Sequence, residues 1–212
     1  MAYYVRQSSL DLIIPESISV IGCGGVGTWI ALSSAMMGVK EITLFDDDKL
    51  EASNLNRLPY TSRDLGEYKV NLLRELILKV RPEAQVIAYP IRVSRTTSKL
   101  LEGVEVAFDT TDSTRAHRLI ERIWNNGRGF WNLVRASYDG DHITIAKNIP
   151  IESRSWGEEG VGYTIVPSWV APTLIVAQLA CYVAYSRDAP HRVFISTSIS
   201  EIVEATRREY SW

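Results

Sequence analysis

The most constraining feature of the chain is Gly22-x-Gly24-Gly25-x-Gly27, which follows the apolar run 18–21 and precedes residues at helical spacing. Val26, Ile30, Ser33 or Ser34, and Met37 mark one side of that helix, and Gly38 stops it. Glycines at such a turn allow backbone angles and close approaches that side chains forbid, so amides at the helix N-terminus can face a phosphate. Residues 41–45 read as a second strand, and Asp46 stands at its end, where the ribose-binding acid of a βαβ nucleotide unit is expected. By itself the spacing is compatible with plain tight packing; between a strand and a helix it indicates nucleotide binding.

The rest of the chain extends this alternation. Residues 46–67 are polar, contain Pro59 and Gly66, and make too long a connection for mere joining, which predicts that they line a site. A helix follows over about 68–79, with Val70, Leu73, Leu76, Ile77 and Val80 on one side. Strands are expected at 85–91, 104–108 and near 130–134, with a helix over 113–124. The pattern predicts a Rossmann-like α/β fold, a doubly wound and mostly parallel sheet with helices on both faces, whose nucleotide-binding core covers about 17–135. Beyond Asp139 the pattern changes to a strand over 142–146, a loop over about 148–168 expected on the substrate side, and an apolar helix from Pro172 to about Tyr185. A strand at 193–195 and a helix over 201–208 complete the expectation of one domain spanning 1–212.

Composition removes several classes of function. With 25 acidic against 23 basic residues, no long-range field favours nucleic acid or a membrane as principal partner, and Arg92, Arg95 and Lys99 form at most a solvated patch. Cys23 and Cys181 are the only cysteines and make no CxxC pair, so neither zinc nor a disulfide framework is expected. The first residues carry no leader pattern, and no apolar run reaches the roughly 18 residues of a membrane span, so a soluble, cytoplasmic protein is expected.

The glycine turn and Asp46 leave a nicotinamide-dependent dehydrogenase and an ATP-using enzyme level. The continuation separates them: Asp46-x-Asp48, then Ser53-Asn54-Leu55-Asn56-Arg57, then Gly66-Glu67-Tyr68-Lys69-Val70. A triphosphate must have its charge neutralised by Arg, Lys or metal, and Arg57 and Lys69 meet that need. Phe108-Asp109-Thr110-Thr111-Asp112 sets carboxylates just after a strand, where open α/β sheets hold ligands and Mg²⁺ can sit between a carboxylate and phosphate oxygens.

With these motifs the chain resembles the ThiF/MoeB family, the adenylating domain of ubiquitin-activating-type enzymes, from Val5 to about Tyr185. GCGGVG, D-x-D-x-L-x-x-SNLNR, the lysine of GEYKV and the DTTD segment carry the likeness. The resemblance implies ATP and Mg²⁺ as cofactors, with Gly22, Gly24, Gly25, Gly27, Asp46 and Asp48 around the nucleotide and Asp46 on the ribose. It further implies Asn54, Arg57 and Lys69 on the phosphates and Asp112 on the metal, with Arg57, Lys69 and Asp112 as the catalytic set. Arg6-Gln7 matches a tract through which an arginine reaches the ATP site of a partner subunit, so the likeness also implies a homodimer. The implied reaction is adenylation of a carboxylate, first that of a ubiquitin-like or sulfur-carrier protein ending in Gly-Gly, otherwise that of a short peptide or a modified nucleoside.

The chain also departs from the family pattern. The two CxxC pairs that hold zinc in many relatives are absent, and 148–168 contains no cysteine for thioester transfer. Ser113 stands where relatives carry Asn, and His117 stands where they carry Arg. His117 on its helix is expected to be exposed or capped, and Cys23 and Cys181 to be packing residues. Trp124, Trp131, Trp156 and Trp169 are expected mostly as anchors in core and loops, with Trp156 able to touch a bound tail. Two other readings stand beside the enzyme: a non-catalytic scaffold that keeps the fold, and an NAD-dependent oxidoreductase.

Overall fold

Each predicted strand has an observed counterpart. In the computed structural model β1 (Ser17–Ile21), β2 (Glu41–Phe45), β3 (Gln85–Tyr89), β4 (Val104–Asp109) and β5 (Phe130–Tyr138) pair in parallel. β6 (His142–Lys147) and β7 (Arg192–Ser196) continue the sheet antiparallel to β5 and to each other. The structure describes residues 4, 7, 10–127, 129–138, 142–150 and 170–196; the expected helix over 201–208, Arg6, Trp156, Trp169 and most of the 148–168 loop lie outside them.

The sheet order β3-β2-β1-β4-β5-β6-β7 is that of a doubly wound sheet. The chain steps outward from β1 to β3, then crosses back to lay β4 on the other side of β1. This reversal opens a crevice at the C-terminal ends of β1 and β4, where neighbouring connections diverge.

Helices cover both faces unequally. α1 (Gly25–Met37), α2 (Lys69–Val80) and α4 (Val170–Tyr185) share one large apolar cluster with the sheet, built on Ile18, Val20, Leu73, Ile77 and Val176 among others. α3 (Thr114–Asn125) packs on the opposite face, where Ile120 and Ile123 meet Ile21, Phe45 and Leu133. Ser113 caps α3 by accepting from the Ala116 amide at 3.4 Å, and Gly38 ends α1 at a left-handed φ of 109°. Cys181 is buried on α4 beside Ser34 of α1, 3.6 Å from its hydroxyl, while Ser34 also meets the Tyr185 hydroxyl at 2.7 Å. Both thiols are buried, as packing residues should be, and burial pushes the Cys181 thiol up to about 12.

Two local expectations change. β5 runs on to Tyr138 instead of stopping near 134, because the polar residues that interrupt its apolar run are held by the structure: Arg135 is buried and ion-paired. Trp131, expected as an anchor, is 75% exposed, whereas Trp124 does anchor, donating from its indole to the Trp131 carbonyl at 3.3 Å. Among the described residues no helix is long and apolar enough to cross a membrane.

Candidate nucleotide site at the sheet crossover

The glycine turn is fixed from both neighbouring strands. Gly22 has φ +92°, and a side chain there would also press on the Thr110 carbonyl oxygen at 2.9 Å. Its amide donates to the Phe45 carbonyl at 2.8 Å, while the Thr110 hydroxyl donates to the Gly22 carbonyl at 2.6 Å. Gly27 lies so close to that same carbonyl that any Cβ would collide with it. Gly24, by contrast, has nothing within 4 Å of where a side chain would sit, so the backbone there is open.

Asp46 closes the β2 side of the turn. One carboxylate oxygen accepts from the Cys23 amide at 2.6 Å and the other from the Asp48 amide at 2.8 Å. Burial raises its carboxyl above the ordinary value, and the two amide bonds oppose that rise. The carboxylate therefore ties the glycine turn to the β2 end. Cys23 itself is fully buried, and burial holds its thiol well above the ordinary range.

The long 46–67 connection doubles back on itself. Lys69 donates its amide to the Asp48 carbonyl at 3.0 Å, Leu50 donates to Glu67 at 2.8 Å and Gly66 to Leu50 at 3.0 Å. This pairing brings the first residue of α2 beside the β2 end, where Lys69 Nζ meets Asp48 Oδ2 at 2.8 Å. The lysine side chain is 10% exposed and the aspartate 56%, so a buried lysine is paired with a carboxylate open to solvent.

Arg57 arrives through a second local device. Asn54 is buried; its Oδ1 accepts from the Glu51 amide at 3.2 Å and its carbonyl accepts from the Arg57 and Leu58 amides at 3.1 Å each. In this structure Asn54 shapes the turn that delivers Arg57. Trp29 of α1 donates to the Arg57 carbonyl at 3.1 Å, and an added Cβ on Gly25 would lie 3.0 Å from Arg57 Cδ. The arginine stem thus lies against the glycine turn, with Nη1 on the Ser53 carbonyl at 2.9 Å and Asn56 Oδ1 at 3.0 Å. Burial lowers its guanidinium pKa.

The β4 side separates the two aspartates of the DTTD segment. Asp112 is exposed, whereas Asp109, the last residue of β4, is 1% exposed. Asp109 Oδ2 meets His117 Nδ1 at 2.7 Å, and Arg135 Nε stands 3.5 Å from the same oxygen, long for a hydrogen bond but close for an ion pair. His117 is consequently buried against a carboxylate instead of being exposed or capped. Arg92 lies across the mouth, with Nε 2.8 Å from both oxygens of Asp47. Its guanidinium is held above the ordinary value by that bond, with the charges of Asp47, Asp48 and Asp112 adding to it.

The structure therefore brings the glycine turn, Asp46, Asp48, Arg57, Lys69 and Asp112 to one end of the sheet, with Asn54 supporting from beneath. Sequence reasoning missed Arg135 and Trp29, while Arg92, expected in a solvated patch, is 79% exposed and paired with Asp47. A signal for Arg135 did exist, since a charge inside Leu133-Val134-Arg135-Ala136 has to be paired once the strand is buried.

The sequence model of the ThiF family matches residues 5–167. Ubiquitin-like modifier-activating enzyme 5 of Caenorhabditis elegans is 28% identical over 158 residues, 74% of this chain and 34% of that protein. The sulfur carrier protein adenylyltransferase of Thermus thermophilus is 29% identical over 127 residues, 55% of this chain and 47% of that protein. Among solved structures, Escherichia coli MccB with ATP superposes with a TM-score of 0.68 at 16% identity, covering 87% of this chain and 62% of that one; the likeness speaks for the fold. The chain spans 34% of the length of the first of these curated relatives and 47% of the second.

Proposed function

The chain belongs to the ThiF family, and on that premise we propose that residues 1–212 form one ATP-dependent adenylation domain that activates a carboxylate. The first choice of substrate is the C-terminal glycine of a ubiquitin-like or sulfur-carrier protein, and the relatives named for such proteins support it. The observation that carries the reading is the convergence of Lys69 and Arg57 on a glycine turn with Asp46 at its edge. A dinucleotide site has less use for two cations beyond the ribose position, whereas a triphosphate requires them.

The residues divide the work by charge. A carboxylate oxygen of the substrate forms a bond to the α-phosphorus of ATP as the bond from that phosphorus to the bridging oxygen breaks. The products are an acyl-adenylate and pyrophosphate, which carries away the electron pair of the broken bond. The backbone at Gly24 leaves room for phosphate oxygens, and Asp46 accepts from the ribose hydroxyls. Lys69 and Arg57 neutralise charge that builds on the phosphates; for this Lys69 shares or exchanges its Asp48 contact and Arg57 its Asn56 contact. No side chain needs to form a covalent bond, so alignment and charge compensation account for the protein's contribution.

The donor set suits Mg²⁺. Asp112 is an exposed carboxylate, and Asp46, Asp47 and Asp48 offer oxygens within 4.8 Å of one another at the same mouth. Such hard oxygen donors, with Asp47, Asp48 and Asp112 exposed, match an ion that keeps its waters and binds through one or two carboxylates plus phosphate. Bound there by Asp112, the ion would neutralise charge on the leaving pyrophosphate. The reading includes a homodimer in which Arg6, outside the described residues, reaches the site of the partner subunit.

Replacement of Lys69 by alanine tests the proposal. Its partner Asp48 is 56% exposed and will be solvated, so the variant should fold. ATP–pyrophosphate exchange with a cognate carboxylate should fall by at least about a hundredfold. Full exchange in Lys69→Ala would remove the mechanism, and tight NAD binding without ATP·Mg binding by the wild type would favour the oxidoreductase instead.

A further inference from the structure

Arg135 enters none of the steps above, yet it joins both halves of the β4–β5 rim. The parallel register sets Asp109 opposite Arg135, and both side chains are 1% exposed or less. Burial lowers the arginine's pKa and the charges of Asp109 and Glu121 oppose this, so the guanidinium keeps its charge among carboxylates. Its Nη1 donates to the Ile149 carbonyl at 2.8 Å and its Nη2 to Glu121 Oε2 at 3.4 Å. The carboxylate it faces is equally committed. Asp109 Oδ1 accepts from the Thr111 hydroxyl at 2.9 Å and from the Thr111 amide at 3.3 Å, and Oδ2 meets His117.

We propose that Arg135 is a positioning residue that fixes, through Asp109, the turn carrying Asp112 and, through Ile149, the chain leading to residues 151–169. The inference rests on the adenylation reading, which gives Asp112 the metal. Three features argue for position over stability alone. A buried ion pair is a weak stabilising device, because desolvation of both charges offsets most of their attraction. The planar guanidinium is spread over three partners on α3, β4 and the segment after β6, an arrangement that lysine cannot reproduce. Thr111 is pulled inward by Asp109 while Thr110 is held by Gly22 and Ile21, so the residue that follows leaves the turn in one direction.

Two variants separate the arms of this coupling. Arg135→Lys keeps a positive charge against Asp109 but cannot hold Asp109, Glu121 and Ile149 together. Thr111→Val keeps the shape and removes only the hydroxyl that links Asp109 to the Asp112 turn. Hydrogen exchange of the free protein should quicken at 110–113 in both variants, and at 148–149 in Arg135→Lys alone. In ATP titrations at graded Mg²⁺, the Mg²⁺ concentration for half-maximal binding should rise about tenfold in both variants. Wild-type exchange at 110–113 in both, or an unchanged Mg²⁺ dependence, overturns the proposal. If Arg135→Lys does not fold, Thr111→Val decides alone. If the wild type binds no ATP·Mg, the adenylation reading fails and takes the role of Arg135 toward the metal with it; the exchange data then still decide whether the coupling exists.

Discussion

On the β2 side of the glycine turn, Lys69 shares its charge with an Asp48 carboxylate that is 56% exposed, and Arg57 rests on backbone and amide oxygens. On the β4 side, Asp109 and Arg135 are each 1% exposed and are paired with each other, with buried His117 and with the partly buried Thr111, Glu121 and Ile149. The first arrangement leaves cations able to exchange their present partners for a ligand. The second turns its charges inward, where their contacts join β4, β5 and α3. One rim of the crevice is thus suited to bind and the other to stay in place, although both are built from ordinary ion pairs.

Removing the aspartate from each side should expose this difference with the largest effect. Asp109→Ala strands the Arg135 charge in the interior, a change that typically costs about 3–5 kcal/mol. Asp48→Ala takes from Lys69, 10% exposed, a partner that is itself 56% exposed, so its cost should be the smaller of the two. Urea midpoints of the two variants at neutral pH should differ accordingly. Equal losses would mean that the two rims are not distinct in kind.

The same contrast explains what the sequence disclosed. The β2 rim was legible because its contacts are local: Asp46, Asp48, Arg57 and Lys69 fall within one strand–loop–helix passage, and glycine spacing announces the turn. The strand order was legible too, since alternating apolar strands and helices admit few topologies. The β4 rim depends on register across a crossover. Nothing in the local pattern pairs Asp109 with Arg135, which are 26 positions apart, and His117 reads as a surface residue until α3 is rotated onto the sheet. Asn54, expected at the phosphates, has its observed contacts within its own turn.

Between the rims lies the glycine turn, and a middle-sized effect should follow from filling it. In Gly27→Ala the new methyl meets the Gly22 carbonyl and the Thr110 hydroxyl, so either the turn or the β4 end must shift. Overpacking of this kind costs about 1–3 kcal/mol. Thermal unfolding should show that loss, and because the displaced carbonyl is the one Thr110 holds, nucleotide binding should weaken as well. Gly24→Ala, with open space at its Cβ, provides the control for stability alone. A Gly27→Ala protein as stable as that control would show that the turn does not link the two rims.

The smallest effect concerns acid, and it bears on the β2 rim. Burial raises the Asp46 carboxyl above its ordinary value of 3.8, despite the amides of Asp48 and Cys23. A carboxyl whose pKa is higher in the folded than in the unfolded chain binds a proton more readily when folded. Its contribution to stability is therefore complete below the unfolded value and disappears as pH rises through the folded one. As pH falls from neutral toward 3.8, the wild type should gain stability relative to Asp46→Asn, which has no such proton to take up. Urea midpoints measured in parallel at pH 7, 6, 5 and 4 would reveal the trend. A gap that stays constant, or moves the other way, would mean that the two amide bonds outweigh burial at Asp46.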